Sequence, residues 1–203
     1  MITVACVLRS GGVFTPEWVD ALWRGVARHL NGRPYERCVL SDIPGAGFEP
    51  LQERWPGWWA KLELFRPGLF HDPVLYLDLD TVVVGDLGDL AAYAGPFAML
   101  SSFYRPRRAE SGVMAWTPGA VTEGLWEAFT ADPARWMRRF HGDGEFLHAH
   151  ATPDRLQDLF PNQIVSYKKH ARQGPPPGAR VVCFHGNPRP SEAGGWAAAA
   201  WAA

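Results

Sequence analysis

Cysteine is scarce in this chain: Cys6, Cys38 and Cys183 are the three among 203 residues, far apart and without a CxxC pair. That argues against a disulfide framework or a cysteine-rich zinc site and predicts reduced core thiols in a cytoplasmic protein. Long apolar runs are missing as well. No stretch approaches the roughly 18 apolar residues that span a bilayer, so no membrane span is expected. The opening MITVACVLRSGG has neither a basic leader nor a long apolar region, so no secretory signal is expected. Excess charge is lacking too: 20 Lys and Arg against 21 Asp and Glu leave a net −1. This argues against a large nucleic-acid-binding surface while leaving room for a local basic patch. No internal repeat and no domain boundary stand out.

What is present is apolar. Hydrophobic residues make up 47% of the chain, enough for one domain over residues 1–203 with a sizeable core. The ten tryptophans fit packing roles first, although such rings also line sugar and base sites. Strand and helix patterns alternate. Ile2 to Leu8, Arg37 to Ser41, Val74 to Leu77, Phe97 to Leu100, Gly112 to Trp116, Ile164 to Tyr167 and Val181 to Phe184 read as strands. Thr15-Pro16-Glu17 reads as an N-cap and first turn, opening a helix to about Leu30. Trp58 to Phe65 has helical spacing, with Trp58, Leu62 and Phe65 on one face. Further helices are expected at Ala120 to Phe129, Pro133 to Phe140 and Asp154 to Leu159. Residues 174–179 (GPPPGA) read as a loop, and the segment after Glu192 as a tail or terminal helix. The alternation predicts a three-layer α/β domain.

Residues 74–85, VLYLDLDTVVVG, end an apolar run on Asp78 and Asp80. Side chains alternate along a strand, so the two carboxylates share a face or flank its final turn. In α/β sheets ligands bind beyond the carboxyl ends of strands. Two carboxylates there repel unless a cation sits between them, and hard divalent cations prefer oxygen ligands. A DxD alone is common by chance and also fits a solvated turn. A second segment, VVCFHGNPRP at 181–190, again ends a β-type run on a potential ligand, His185. Gly186 would allow close backbone approach, and Arg189 can grip phosphate oxygens.

Together, WWAKLELF, VLYLDLDTVVVGDL, ESGVMAW, GDGEFL and FHGNPRP resemble, in order and spacing, the GT-A glycosyltransferases of family 8 type. Glycogenin, lipooligosaccharide galactosyltransferases and short bacteriophage-encoded glycosyltransferases share the pattern. The matching segments span about residues 58 to 190. The resemblance implies a single GT-A domain, Rossmann-like and nucleotide-binding. It implies a retaining, metal-dependent hexosyltransferase that uses a nucleotide-sugar, UDP-glucose or UDP-galactose. Asp78, Asp80 and His185 would hold Mn²⁺ or Mg²⁺, with Leu79 between the two acids. Lys61, Gly186, Asn187 and Arg189 would contact the diphosphate side of the donor. Val7, Leu8 and Arg9 would cradle uracil and ribose. Asp143, with Glu145 nearby, would supply the carboxylate beside the donor sugar.

Two positions depart from the family pattern. Glu110 replaces the usual Asn before Ser-Gly-Val, and Gly144 replaces the glutamine of GDQ; both bear on donor choice. Glu145, His148 and His150 also suggest a loose second metal site, for which surface or acceptor-side roles are the better reading. Two other readings stand beside the transferase. YLDLDTVVVG resembles the haloacid-dehalogenase phosphatase signature, but the motif comes late in the chain and Leu147 stands where a final acid is needed. An inactive nucleotide-sugar binder is the other. The acceptor stays open between a glycan and DNA carrying a hydroxymethylated pyrimidine, a bacteriophage DNA modification. Basic runs at Arg105, Arg107 and Arg108, at Arg135, Arg138 and Arg139, and at Lys168, Lys169 and Arg172 would favour a phosphate-bearing acceptor if they gathered beside the site. Oligomeric state is not legible.

Overall fold

A computed structural model describes residues 1–45 and 47–203. The chain opens with β1 (Ile2–Leu8), α1 (Pro16–His29), β2 (Tyr35–Ser41) and β3 (Phe48–Pro50). A 3₁₀ helix at Gly57–Phe65 leads to β4 (Val74–Leu77), β5 (Thr81–Val83), α2 (Gly88–Ala91), β6 (Ala98–Ser101) and β7 (Ala109–Trp116). Then follow α3 (Ala120–Ala131), α4 (Pro133–Arg139), α5 (Asp143–His150), β8 (Asp154–Arg155) and α6 (Leu156–Leu159). The chain ends with β9 (Ile164–Ser166), α7 (Tyr167–His170), β10 (Val181–Cys183) and α8 (Gly195–Ala202).

Seven strands form the main sheet in the order β3-β2-β1-β4-β7-β6-β8, and β5-β10-β9 form a small second sheet. β1 pairs in parallel with β2 on one side and β4 on the other, whereas β7 is antiparallel to both β4 and β6. Strand order therefore reverses between β1 and β4, and a crevice at their carboxyl ends is where an α/β sheet accepts a ligand.

Side-chain alternation builds the layers. β1 sends Val4, Cys6 and Leu8 into one apolar cluster with Trp18, Leu22 and Val26 of α1. Ala5 faces the opposite cluster, where the 3₁₀ helix contributes Trp59, Leu62 and Phe65, α3 contributes Phe129, and α5 contributes Phe146. β4 divides the same way, Leu75 and Leu77 against Val74 and Tyr76. Each fully buried side chain of this size stabilises the fold by about 1.5–3 kcal/mol. All three cysteines are free, as their spacing predicts. Among the described residues no helix is long and apolar enough to cross a membrane.

Several local expectations need correction. Trp58 does not share the buried face of Leu62 and Phe65; it is 57% exposed. The tight 3₁₀ winding of this segment turns successive side chains by about 120°, so the α-helical register does not apply. Thr15 occupies the N-cap position of α1, but its side chain makes no capping hydrogen bond. The helix expected from Asp154 begins only at Leu156, because Asp154 and Arg155 pair with Ala98 and Met99 as β8. The GDGEFL segment, read as a motif without secondary structure, opens α5.

Candidate active site

The main strand stops at Leu77, so Asp78, Leu79 and Asp80 form the turn between the two sheets. Thr81 closes it, its amide and hydroxyl donating to the Asp78 carbonyl at 3.0 and 2.7 Å. Asp78 and Asp80 thus flank a turn, and Leu79 is buried between them in the core. The next strand explains why a histidine 105 residues further along the chain belongs here. β5 pairs antiparallel with β10, Thr81 opposite Cys183. That register sets the Phe184 amide on the Asp80 carbonyl at 3.0 Å and delivers His185 to the same place. Asp78, Asp80, Glu110 and His185 border one cavity of about 90 Å³.

On the other side of the turn, Asp78 and Asp80 border a cleft of about 500 Å³ with Val7, Arg9, Phe14, Lys61 and Arg189. A neighbouring cleft of about 650 Å³ shares Arg9 and continues past Asp42 to Glu53 and Arg54. It is the larger of the two but lacks the acidic turn. Volumes of this order suit a ligand of nucleotide-sugar size.

The charges are tightly arranged. Lys61 Nζ lies 2.7 Å from Asp78 Oδ1, donates to Asp78 Oδ2 at 3.0 Å and to Ser111 Oγ at 3.4 Å, and lies 4.0 Å from Asp143 Oδ2. Burial alone would push its ammonium down, but Asp78 and then Asp143 outweigh that and hold it above the ordinary lysine range. Tyr76 donates its hydroxyl to Asp78 Oδ1 at 2.5 Å. Asp143 is buried, which pushes its carboxyl up, and its Oδ2 has no hydrogen-bond partner. Asp80 is ion-paired with Arg189, whose guanidinium also lies over the Phe14 ring at 5.1 Å. Burial first, and then the charge of Asp78, push Asp80 up to about 7 against the pull of Arg189 and Lys61. His185 is pushed down by burial and by Lys168, which favours the neutral imidazole a metal needs. Its Nε2 lies 2.7 Å from Ser166 Oγ.

Some expected site residues lie elsewhere. Leu8 cannot cradle a base: alternation along β1 buries its side chain completely, and only its carbonyl is engaged, accepting from Ser41 Oγ at 2.8 Å. Glu145 sits two residues from Asp143 on α5, a rotation of about 200° that turns it away from Lys61. It pairs instead with Arg108 at 3.1 Å and with His141 at 3.2 Å. Gly186 and Asn187 are exposed and border neither cavity, although Gly186 keeps a φ of +78° that favours glycine. The loose second metal set dissolves: His150 stacks on Phe146 at 4.1 Å, and His148 has a buried, unpartnered Nδ1.

Other residues at the site were not picked out by sequence reading. Asp42, at the end of β2, pairs with Arg9 and accepts from the Ser10 amide at 2.7 Å. Its place after the second strand was the available signal. Glu63 is fully buried and accepts from the Gln52 and Glu53 amides at 2.7 and 2.9 Å, so it holds the wall of the larger cleft. Buried acceptors removed from charged networks leave donors unsatisfied at about 1–3 kcal/mol each. Glu63→Ala is therefore expected to cost about 3 kcal/mol in urea unfolding; an unchanged midpoint would contradict this anchoring role. Gly144 has a packing reason as well: a Cβ there would meet Ser111 N at 3.4 Å, so glycine lets α5 lie close on β7.

No family model and no curated protein matches the sequence significantly. Solved structures do match the fold. GlyE of Streptococcus pneumoniae, a glycosyltransferase, superposes with a TM-score of 0.71 at 15% identity, over 98% of this chain and 59% of that one. The galactosyltransferase LgtC, in complex with donor and acceptor sugar analogues, gives 0.68 at 10% identity, over 98% and 94%. The fold is that of glycosyltransferases. WbbM, a bifunctional glycosyltransferase, gives 0.63 at 12% identity over 93% of this chain and 46% of that one. The chain thus spans about three fifths of GlyE and nearly all of LgtC. This is the GT-A arrangement expected of the motifs, with the Asp78–Asp80 turn at the reversal of strand order.

The donor set can be tested against a divalent cation. Two carboxylates and a neutral imidazole bordering one cavity are suitable hard and borderline ligands. The residue types fit. Among the described residues, however, no three acidic, histidine or cysteine side chains converge closely enough to hold an ion, because Asp80 is turned to Arg189 and His185 to Ser166.

Proposed function

We propose that residues 1–203 act as a single GT-A domain that moves a hexose from a UDP-sugar, UDP-glucose or UDP-galactose, to an acceptor hydroxyl with retention of configuration. The observation that carries this reading is the position of the Asp78–Asp80 turn. It sits at the reversal of strand order, on a fold shared with glycosyltransferases, with Lys61 and Arg189 in one cleft. The bland alternative, a solvated turn, does not account for a buried lysine held between two carboxylates.

The chemistry follows from the charges. The anomeric C–O bond breaks, its electron pair goes to the leaving diphosphate, and the acceptor oxygen bonds to the anomeric carbon. The acceptor proton goes to a diphosphate oxygen. Negative charge therefore grows on the diphosphate, and Lys61 and Arg189 border the cleft where it would grow. Asp143 borders neither cavity but lies buried 4.0 Å from Lys61, and from there its carboxylate would favour positive charge on the sugar ring. Asp78, Asp80 and His185 would hold Mn²⁺ or Mg²⁺, which supplies Lewis-acid stabilisation of the diphosphate. Arg9 and Asp42 lie toward the base and ribose end. The phosphatase reading loses ground, since Leu147 is wholly buried in the core rather than placed at the turn.

The direct test is a panel of nucleotide-sugars with Mn²⁺, following release of nucleoside diphosphate. UDP release from a UDP-hexose is expected; release from none of the panel would refute an active transferase. Protection by UDP and Mn²⁺ without turnover would identify an inactive binder.

A pH dependence follows as well. The unfolded Asp80 carboxyl titrates near 3.8 and the folded one near 7. This group therefore favours the folded chain most below the lower value, and that contribution is lost as pH rises through the upper one. A bound cation must displace the proton, so it restores stability mainly on the alkaline side. The Mn²⁺-induced rise in melting temperature is expected to be larger near pH 8 than near pH 6. Equal shifts at both would remove Asp80 from the ligand set.

A further inference from the structure

Two basic runs separated by some sixty residues of sequence meet at one face of the molecule. The β6–β7 loop carries Phe103, Tyr104, Arg105, Arg107 and Arg108, and α7 with its exit carries Lys168, Lys169 and Arg172. Lys169 Nζ donates to the Phe103 carbonyl at 2.7 Å and lies over the Tyr104 ring at 5.3 Å. Lys168 Nζ donates to the His185 carbonyl at 2.7 Å. Each ammonium has three donors and these contacts use one, so both retain capacity for a ligand. Arg172 Nε donates to the Lys168 carbonyl at 3.0 Å, which leaves its terminal nitrogens available to a ligand. Arg105 and Arg107 are exposed.

The aromatic partner is Tyr104, 59% exposed, with its ring edge-on to His185 at 5.5 Å. Phe103 lies on the other side of that imidazole, at 5.8 Å, and borders the 90 Å³ cavity with Glu110 and the two aspartates. The face therefore adjoins the small cavity on one side of the acidic turn, while the two larger clefts lie on the other. The third basic run takes no part, since Arg135 and Arg139 lie over Trp136 and Phe140 of their own segment.

The geometry points to an acceptor site for a single-stranded nucleic acid, its phosphates on Arg105, Arg107, Lys168 and Arg172 and a base against Tyr104. The inference rests on the transferase reading and names the acceptor class of the same site. A single phosphate is satisfied by one or two cations; four along a face, beside an exposed ring, match a chain that alternates phosphate and base. A glycan would need neither the cations nor their spread. The near-zero net charge confines the attraction to this face.

The test measures binding of a labelled oligodeoxynucleotide to the full chain by fluorescence anisotropy, with UDP release from a UDP-hexose followed separately. Four neutralised phosphates give a slope of about −3 in log K against log salt, or roughly a 50-fold loss between 50 and 200 mM. In Arg105→Gln/Arg107→Gln/Arg172→Gln the slope is expected to fall to about −1. Tyr104→Ala is expected to weaken the oligonucleotide about tenfold while leaving inorganic polyphosphate unaffected. An oligonucleotide affinity insensitive to these substitutions overturns the inference. So does polyphosphate or a phosphorylated glycan binding as tightly as the oligonucleotide. Because UDP release from a UDP-hexose is read independently, failure of the transferase reading shows as absence of that release, and failure of this inference leaves it intact.

Discussion

Asp80→Ala is expected to lower donor turnover by at least about 100-fold, the cost of losing the carboxylate that would hold a divalent cation and orient Arg189 toward the developing diphosphate charge. The variant should nevertheless stay folded. Asp80 is buried and already resists ionisation, so truncating it removes a carboxylate that the fold holds at a cost. Arg189 loses its partner, but its side chain is 21% exposed and can be hydrated by a small movement. A melting temperature within a few degrees of the parent, together with lost UDP release, is the predicted result. Turnover at the parental rate would remove the acidic turn from the site.

Lys61→Met should behave differently, losing both activity and stability. Lys61 is the cation shared by Asp78 and Asp143, and its side chain is only 12% exposed. Removing one partner of a buried ion pair leaves the others uncompensated, at about 3–5 kcal/mol. Urea unfolding should show that loss. Adding Asp143→Asn to Lys61→Met should recover part of the stability, because one of the stranded charges is gone, yet should not recover turnover. Strict additivity of the two losses would show that the lysine and Asp143 are not coupled. The pair of measurements separates a structural role for Lys61 from its place at the leaving group.

The contrast between these two residues reflects how the site is built. Asp80 stands on a turn that strand pairing would hold without its side chain: the Thr81 and Phe184 amides bond to backbone carbonyls. Lys61 comes from a packed 3₁₀ helix whose Trp59, Leu62 and Phe65 form the core, so its ammonium is held largely buried beside Asp78, Asp143 and Ser111. Glu110 borders the small cavity, and Gly144 packs against Ser111.

Much of this was legible in the sequence because it depends on local pattern. Continuous apolar runs identify β1 and β4, and the run that ends on Asp78 and Asp80 marks a strand end. The order of the five motifs points to the fold. What the sequence left open is what depends on long-range register. Pairing of Thr81 with Cys183 brings His185 to the acidic turn. The rotation of α5 admits Asp143 and turns Glu145 away. The folding of the β6–β7 loop onto α7 gathers the basic runs of residues 105–108 and 168–172 at one face. Periodicity along a chain reports which side of an element is apolar; only the packing of elements against each other decides which side chains meet.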